Sequence, residues 1–163
     1  NYAVIDTATL LAQYDRAVKD WPWLHYVERI KGLPKFTLFA VASRETNMRN
    51  ILGDYGHGVG IFQRDDRAWK NMKTPAGVLS TKAGKDWYLA HPRQQAEDAA
   101  DLLLTNYRYL KGWAAALAAY NAGAGAVRAA AFRGASPDSV TTGRNYGADV
   151  LRRMEVLRDK RGG

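Results

Sequence analysis

Three carboxylic acids lie near one another in the sequence, around a loop that is rich in glycine. Glu45 lies four residues after Val41 and three after Ala42, and this spacing places its carboxyl on the apolar side of a predicted helix. Asp54 lies within the glycine loop, and Asp65 follows it. An ionised carboxylate on a buried face is costly unless it is paired or protonated. The position of Glu45 therefore favours a chemical role over a structural one.

Two carboxyl groups in unlike surroundings suit the cleavage of a glycosidic bond. That reaction needs one protonated carboxylic acid in an apolar setting, to donate a proton to the leaving oxygen, and one ionised carboxylate in a wetter setting. Glu45 fits the first description, and Asp54 and Asp65 fit the second. Taken singly, each aspartate is better explained as a turn residue, and a solvated helix end is the alternative explanation of Glu45. The hypothesis therefore depends on the three acids together.

The sequence does not support other kinds of catalytic or cofactor site. The three histidines, His25, His57 and His91, are far apart and form no zinc-binding pattern. The stretch GHGVG at 56–60 lacks the spacing of a dinucleotide-binding turn. Phosphate-binding and calcium-binding loops and a serine nucleophile motif are also missing. The sequence thus predicts no metal and no cofactor.

The composition predicts one compact domain, 1–163, because 163 residues with 47% hydrophobic content can bury a sizeable core. The formal net charge of +8 favours an anionic partner, such as nucleic acid, an acidic membrane surface or an anionic polymer of the bacterial wall. Cysteine is absent, which excludes disulfides and thiolate metal sites. No apolar run is long enough to span a bilayer, so stable membrane insertion is not expected.

The first residues lack the pattern of a signal peptide, and the chain starts at Asn1 rather than Met. We expect a processed protein or a domain cut from a longer one.

The elements that must position the three acids are predicted to be mostly helices. Thr7 is a candidate cap for a first helix that ends near Trp21, and a short second helix covers 23–31 and stops at Gly32. Pro34 fits the first turn of the helix that carries Glu45. The pattern predicts a mainly α domain.

The later segments continue this pattern. Residues 52–60 predict a tight loop or short hairpin, and 71–90 a long irregular connection. Pro92 opens a long helix, and an Ala-rich helix over 113–121 breaks at Gly123 and Gly125, which are followed by a turn region over 134–143.

The last helix presents one apolar face, with Arg152, Arg153 and Arg158 largely off it. The residues of the apolar face are Gly147, Val150, Leu151, Met154 and Leu157. We interpret the arginines as the solvated side of an amphipathic helix. Contacts with nucleic-acid phosphates are the alternative.

Four aromatic residues near the acids, Tyr55, Trp69, Trp87 and Tyr88, are candidates to line a groove and stack on sugars. Aromatic side chains more often belong to the core. The sequence leaves both interpretations open for each of them.

Four stretches of the sequence resemble, in order, the motifs of goose-type lysozymes and the related soluble lytic transglycosylases. They are SRET, GDYGHGVGIFQRDDR, AAYNAGAGAVRAAA and NYGADVLRRM. The resemblance covers about residues 34–160 and leaves 1–33 as an N-terminal helical segment. It implies a lysozyme-like helical domain with a small β-hairpin or loop beside the active-site cleft.

The resemblance also implies residue roles. Glu45 matches the essential general acid, and Asp54 and Asp65 match the two aspartates with which goose-type lysozymes position the attacking water. The loop between Glu45 and Asp54 is shorter than in the vertebrate members, and cysteine is missing. These departures point to a bacterial or phage member of the family.

Three further positions match substrate-contacting or orienting residues, and a fourth departs from the family pattern. Gln63 matches the glutamine of the family's substrate-contacting motif, and Tyr120 and Asn121 match residues that orient the glutamate and contact the sugar. His57 stands where a small polar residue is usual and is included as a substrate contact. A buried Tyr120 phenol needs a partner, and Glu45 is the expected one.

Together these matches predict a muramidase that hydrolyses the β-1,4 bond between N-acetylmuramic acid and N-acetylglucosamine, with inversion. Peptidoglycan glycan strands are the expected partner; nucleic acid is not, and the protein is expected to act at the bacterial wall as a monomer. One alternative is a lytic transglycosylase that leaves 1,6-anhydromuramyl ends. A non-catalytic wall-binding module is the other.

Overall fold

The computed structural model of the protein describes residues 4–162; Asn1–Ala3 and Gly163, which belong to the predicted domain, lie outside the described residues. The prediction of a mainly α domain is confirmed. The helices are α1 Thr7–Asp20, α2 Leu24–Lys31, α3 Thr37–Thr46, α4 Lys82–Leu89, α5 Pro92–Leu110, α6 Trp113–Ala122, α7 Ala124–Phe132 and α8 Tyr146–Arg161. Between 4 and 162, no helix combines the length and apolar character needed to cross a membrane.

Within residues 4–162, five two-residue strands form two small antiparallel sheets. The first has the order β1 (Leu52–Gly53), β2 (Gly58–Val59), β3 (Arg64–Asp65), and the second pairs β4 (Lys73–Thr74) with β5 (Gly77–Val78). The hairpin predicted at 52–60 is confirmed, with Gly53 opposite Gly58. Asp54 follows β1 directly and Asp65 lies in β3, so the sheet holds both aspartates.

The helix α3 is the centre of the hydrophobic core. The side chains of Leu38, Phe39, Ala40, Val41 and Ala42 have no exposed surface, so the helix is buried on every side rather than along one stripe. It packs against α1, α2, α5 and α8. The carboxyl end of α3 is the point at which this buried helix meets a cleft, and Glu45 lies there.

Two predicted helix starts are wrong. Asp6 rather than Thr7 caps α1, because its carboxylate accepts the N–H of Thr9 at 2.8 Å. The helix α3 begins after Pro34, since Phe36 adopts a left-handed backbone with φ 77° and delays the first helical residue to Thr37.

The start of α3 is held by a buried carboxylate from α2. Glu28 is 1% exposed, and its two oxygens accept the backbone N–H groups of Phe36 at 3.0 Å and Leu38 at 2.8 Å. His25 Nδ1 lies 2.9 Å from Oε1 of the same carboxyl group. Glu28 thus supplies acceptors to N–H groups that have no partner at a helix start.

Replacing Glu28 should therefore weaken the fold. In Glu28→Gln one carboxylate oxygen becomes an amide nitrogen, so a buried N–H loses its acceptor, and we expect the free energy of unfolding to fall by ~2–3 kcal/mol. Urea denaturation followed by circular dichroism measures this. The exposed Glu155→Gln change on α8 is the control and should stay within ~0.5 kcal/mol of the parent. Equal losses in the two variants would contradict the capping role.

Two segments are more ordered than predicted. The stretch 71–90 contains the β4–β5 hairpin and α4, rather than an irregular connection. At Gly123, with φ 89° and ψ 144°, α6 ends as predicted, but α7 begins at the next residue and includes Gly125. Alanine favours helix on both sides of Gly123, so one positive φ value redirects the chain without ending helical structure.

The assignment of Arg153 to a solvated face is wrong. The side chain is 1% exposed, its Nε lies 2.9 Å from Asp149 Oδ2, and its Nη1 donates to Ser43 Oγ at 2.8 Å. Arg44 donates to the same Asp149 oxygen at 2.8 Å. A buried charge is tolerated when it is paired and hydrogen-bonded. This ion network joins α8 to α3 one residue before Glu45.

Candidate active site

A cleft of about 700 Å³ contains most of the residues that the sequence singled out. It is lined by the end of α3, the β1–β3 sheet and the faces of α5, α6 and α7. The predicted site residues that line it are Glu45, Asp54, Gln63, Asp65, Tyr120 and Asn121. The tertiary structure thus brings together residues up to 76 positions apart, a separation set by Glu45 and Asn121.

Glu45 occupies the next-to-last position of α3 and is partly buried. Removal from water raises the pKa of its carboxyl to about 7, although a hydrogen bond from Tyr146 and the charge of Arg44 act in the opposite direction. The carboxyl end of a helix also disfavours a negative charge. Near neutral pH the group therefore holds a proton that it can donate.

The hydrogen-bond partner expected for Glu45 is a different tyrosine. The Tyr120 hydroxyl donates to the carbonyl of Phe62 at 2.8 Å, whereas Glu45 Oε2 accepts from the Tyr146 hydroxyl at 2.6 Å. Burial raises the pKa of both phenols, so each remains a neutral donor. The expectation that Glu45 is the partner of Tyr120 is wrong, because the backbone carbonyl reaches that phenol instead.

Sequence reasoning did not assign a role to Tyr146. It is the first residue of α8, 1% exposed, and the guanidinium of Arg44 lies 5.0 Å from its ring centroid. Arg44 also donates to Thr142 O and, with Nη2, to Asn145 Oδ1 just before the helix. The ion network described above therefore places Tyr146 against Glu45. The stretch NYGADVLRRM was the available signal for it.

Arg67 connects the two aspartates across the sheet. Its Nη2 contacts Asp54 Oδ2 at 2.5 Å and Asp65 Oδ2 at 2.7 Å, and its Nε and backbone N–H donate to Asp65 Oδ1. The hydrogen bonds from Arg67 lower the pKa of Asp65 to about 2. Asp65 is therefore ionised throughout the range in which Glu45 titrates. Arg67 ends the stretch GDYGHGVGIFQRDDR, but the sequence analysis assigned no role to it.

The glycines of the hairpin make room for Gln63. A Cβ atom built on Gly53 or Gly58 would lie 2.3 or 2.1 Å from Gln63 Oε1, so a larger residue at either position would displace the Gln63 amide group. The Gln63 amide donates to the carbonyls of Gly60 at 2.8 Å and Ile51 at 3.2 Å. Gln63 lines the cleft and holds the hairpin backbone, and its contact with substrate stays a prediction.

His57 is the predicted site residue that does not line the cleft. Its Nδ1 lies 2.9 Å from Asp66 Oδ1, and Asp66 Oδ2 lies 2.6 Å from Lys85 Nζ on α4. These contacts link the β1–β2 loop to α4 and explain His57 structurally. Asn121, by contrast, lines the cleft and accepts the N–H of Thr142 at 2.9 Å.

Of the four candidate groove aromatics, Trp69 lines the cleft. It is 39% exposed, and the guanidinium of Arg64 lies 4.1 Å from its ring centroid. Tyr55 is fully exposed, and Tyr88 is 1% exposed in a separate small core. Trp87 packs against that core and stacks on His91 with 3.8 Å between ring centroids.

The titration of Glu45 should set the alkaline limb of the pH dependence of kcat/KM. Because only the protonated acid can donate, kcat/KM should fall as the pH rises through about 7. The Tyr146 hydroxyl stabilises the carboxylate, so Tyr146→Phe should raise the pKa of Glu45 and move this limb to higher pH. Initial rates on a soluble oligosaccharide from pH 4 to 10 measure it.

Tyr120→Phe is the matched control, since its phenol donates to a backbone carbonyl and not to Glu45. Its alkaline limb should stay near pH 7, whatever its effect on kcat. A limb that moves equally in both variants, or in neither, would contradict the role of Tyr146.

A family profile described as "Transglycosylase SLT domain" matches residues 24–138, which is most of the chain. The matched range runs from α2 to the turn after α7 and contains Glu45, both aspartates and Tyr120. Tyr146 lies beyond the matched range, so this match gives no support to its role. None of the curated proteins matches the chain.

Proposed function

Because the chain belongs to the transglycosylase SLT domain family and is a lysozyme-like, peptidoglycan-cleaving enzyme, we propose the reaction by which it cleaves. In this proposal the enzyme is a muramidase that hydrolyses the β-1,4 bond between N-acetylmuramic acid and N-acetylglucosamine, with inversion at the sugar carbon. The proposed catalytic residues are Glu45, Asp54 and Asp65. No metal or cofactor takes part in the proposed reaction.

The observation that carries this proposal is the division of charge within one cleft. Glu45 has a pKa of about 7 and retains a proton, whereas Arg67 keeps Asp65 ionised with a pKa of about 2. Glu45 donates its proton to the leaving oxygen as the glycosidic bond breaks. A water held by Asp54 and Asp65 attacks the sugar carbon from the other face and loses its proton to this pair. Arg67 fixes the two carboxylates relative to each other.

Transglycosylation is the second candidate, and one observation favours it. A group with a pKa of about 7 can act first as the acid and then as the base. In that reaction the 6-hydroxyl of the muramyl residue attacks, Glu45 takes its proton, and a 1,6-anhydro end forms. The pairing of Asp65 with Arg67 also makes Asp65 a weak proton acceptor. The description of the family agrees with this candidate.

A non-catalytic wall-binding module is disfavoured by the same site. Burial raises the pKa of the Glu45 carboxyl to about 7, which makes the ionised acid costly, although a neutral amide could accept the hydrogen bond from Tyr146 equally well. Perturbed titrating groups in a cleft are typical of catalytic sites. We propose further that Gln63, Tyr120 and Asn121 contact the sugars, and that the enzyme is a bacterial or phage protein acting on the wall as a monomer.

Product analysis distinguishes the two reactions. Purified peptidoglycan is digested, and the fragments are separated and weighed by mass spectrometry. Hydrolysis gives reducing ends, which are heavier than anhydro ends by one water. NMR during the first turnovers should show the α anomer if hydrolysis inverts. A majority of anhydro ends would replace the hydrolase proposal with transglycosylation.

A further inference from the structure

One segment of the chain beside the cleft carries positive charge without any acid of its own. The sequence from 102 to 137 contains no aspartate or glutamate. Its four cations, Arg108, Lys111, Arg128 and Arg133, are all exposed, and none forms an ion pair with another residue of the described part of the chain. This segment forms the end of α5, all of α6 and all of α7, which pack together. The four cations therefore belong to one group of packed helices.

Exposed aromatic rings flank one of these cations. The guanidinium of Arg128 lies 4.9 Å from the ring centroid of Tyr109 and 5.3 Å from that of Phe132. The two rings are 48% and 79% exposed, so neither contributes much to the core. Contact with both rings restrains the guanidinium and leaves its N–H donors facing solvent. We call Tyr109, Arg128 and Phe132 the cationic aromatic cluster.

The cluster adjoins the cleft through the helices that carry it. Tyr109 lies three residues after Asn106 on α5, and Arg128 lies four residues after Ala124 on α7. Asn106 and Ala124 both line the cleft. Residues three or four apart on a helix share a face and are separated by about one turn, ~5–6 Å along the axis. The cluster is thus about one helical turn outside the cleft.

We propose that the cationic aromatic cluster binds the peptide stem of the glycan strand that occupies the cleft, with Arg128 pairing with a stem carboxylate. Peptide stems leave the strand at each muramyl residue and carry free carboxylates, so a strand in the cleft presents anionic groups to its rim. A guanidinium presents parallel N–H donors that match a carboxylate. The rings of Tyr109 and Phe132 cover the apolar parts of the stem. The proposal rests on peptidoglycan cleavage, but not on hydrolysis rather than transglycosylation.

A second arginine–aromatic cluster on the same protein provides the matched control. Arg29 and Arg93 each lie 5.4 Å from the ring centroid of Tyr26, which is 45% exposed. None of the three lines the cleft. Arg93 and Tyr109 are 16 residues apart on α5, which corresponds to ~24 Å along the helix. Equal changes in charge and aromatic area can thus be made near the cleft and far from it.

The test compares binding of two forms of one polymer. Soluble glycan strands with intact peptide stems and the same strands after enzymatic removal of the stems are titrated against protein in the Glu45→Gln background. We expect Arg128→Gln to weaken binding of stem-bearing strands by about 3- to 5-fold, the range of an exposed ion pair. Adding Phe132→Ala should bring the loss to ~10-fold. Binding of stem-free strands should change by less than ~2-fold.

The control pair, Arg29→Gln with Tyr26→Ala, should bind both strands like the parent. Wild-type affinity of Arg128→Gln for stem-bearing strands would overturn the proposal, as would equal losses on both strands or an equal loss in the control pair. Failure of the wild-type protein to cleave stem-bearing strands would instead contradict the proposed function. The two failures are distinguishable, because binding is measured in the Glu45→Gln background and cleavage is measured with the wild-type protein.

Discussion

Glu45→Gln should reduce the rate of peptidoglycan cleavage by ~10²–10⁴-fold, the usual contribution of a positioned general acid. Glutamine keeps the size of the side chain and can still accept the hydrogen bond from Tyr146, but it has no proton to donate. The loss is expected under hydrolysis and under transglycosylation alike. Release of soluble fragments from purified walls, at pH 6 and matched protein concentration, measures it.

The same variant should be more stable than the wild-type protein, but only above a certain pH. The folded-state pKa of Glu45 is about 7 against an ordinary 4.5, so the native state binds the proton more tightly than the unfolded state. Stability is therefore lost as the pH rises from about 4.5 through about 7. Glutamine removes this cost, and we expect a gain of ~1–3 kcal/mol at pH 8 and none at pH 4.

Denaturation at the two pH values provides the stability readout, with the exposed Glu155→Gln as control. Near wild-type cleavage by Glu45→Gln would remove this residue from the mechanism. Loss of activity together with loss of stability at both pH values would mean that the substitution damages the fold rather than the chemistry.

The second large effect concerns the two aspartates. If Asp54 and Asp65 hold the attacking water between them, the double variant Asp54→Asn, Asp65→Asn should lower hydrolysis by ~10²–10⁴-fold, as expected for loss of a general base. Each single variant should be milder, because the remaining carboxylate still faces the water and Arg67. Rates are measured as new reducing ends on purified peptidoglycan.

Asp86→Asn is the matched control for this pair of changes. Asp86 forms an exposed ion pair with Lys82 on α4 and does not line the cleft. It should cleave at the wild-type rate. A double variant that keeps its rate and releases anhydro ends would show that the substrate supplies the nucleophile, and the two aspartates would then have no part in the chemistry.

The pairing of Arg67 with Asp65 bears on the choice between hydrolysis and transglycosylation. Its hydrogen bonds keep the pKa of Asp65 near 2, which holds the carboxylate ionised but makes it a weak base. A water-positioning role needs the ionised form, whereas proton removal needs basicity. Reducing ends among the products of the wild-type protein would indicate that the ionised Asp65 positions a water. Anhydro ends would indicate that it does not.

The sequence by itself determined the helical class, a tight loop or hairpin at 52–60 and the position of the acid Glu45 on an apolar helix. Local spacing and short motifs predict these features. The patterns are apolar residues at helical intervals, glycines that permit a tight turn, and an acid on an apolar face. The helix at 23–31 has the predicted bounds to within a residue, and α5 begins at Pro92 as predicted. The resemblance to the family supplied the rest of the seven predicted site residues, and the structure brings six of the seven together in one cleft.

Local sequence patterns did not predict the start of α3, the burial of Arg153 or the hydrogen-bond acceptor of Tyr120. Phe36 adopts a left-handed conformation that moved the start of α3, and no rule of spacing required it. Arg153 looked solvated because its charge was weighed without Asp149 and Ser43, whose oxygens make its burial tolerable. The acceptor for Tyr120 became the Phe62 carbonyl, which only the folded hairpin presents.

Only the tertiary structure decided which groups set the charge of the three carboxylic acids in the cleft. Tyr146 lies 101 positions from Glu45, and it reaches the carboxyl because Arg44, Asp149 and Arg153 join α3 to α8. Arg67 lies two residues after Asp65, yet its contact with Asp54 exists only because β1 and β3 lie in one sheet. A pKa depends on distance and on exclusion of water, and both are properties of the packed chain rather than of its local pattern.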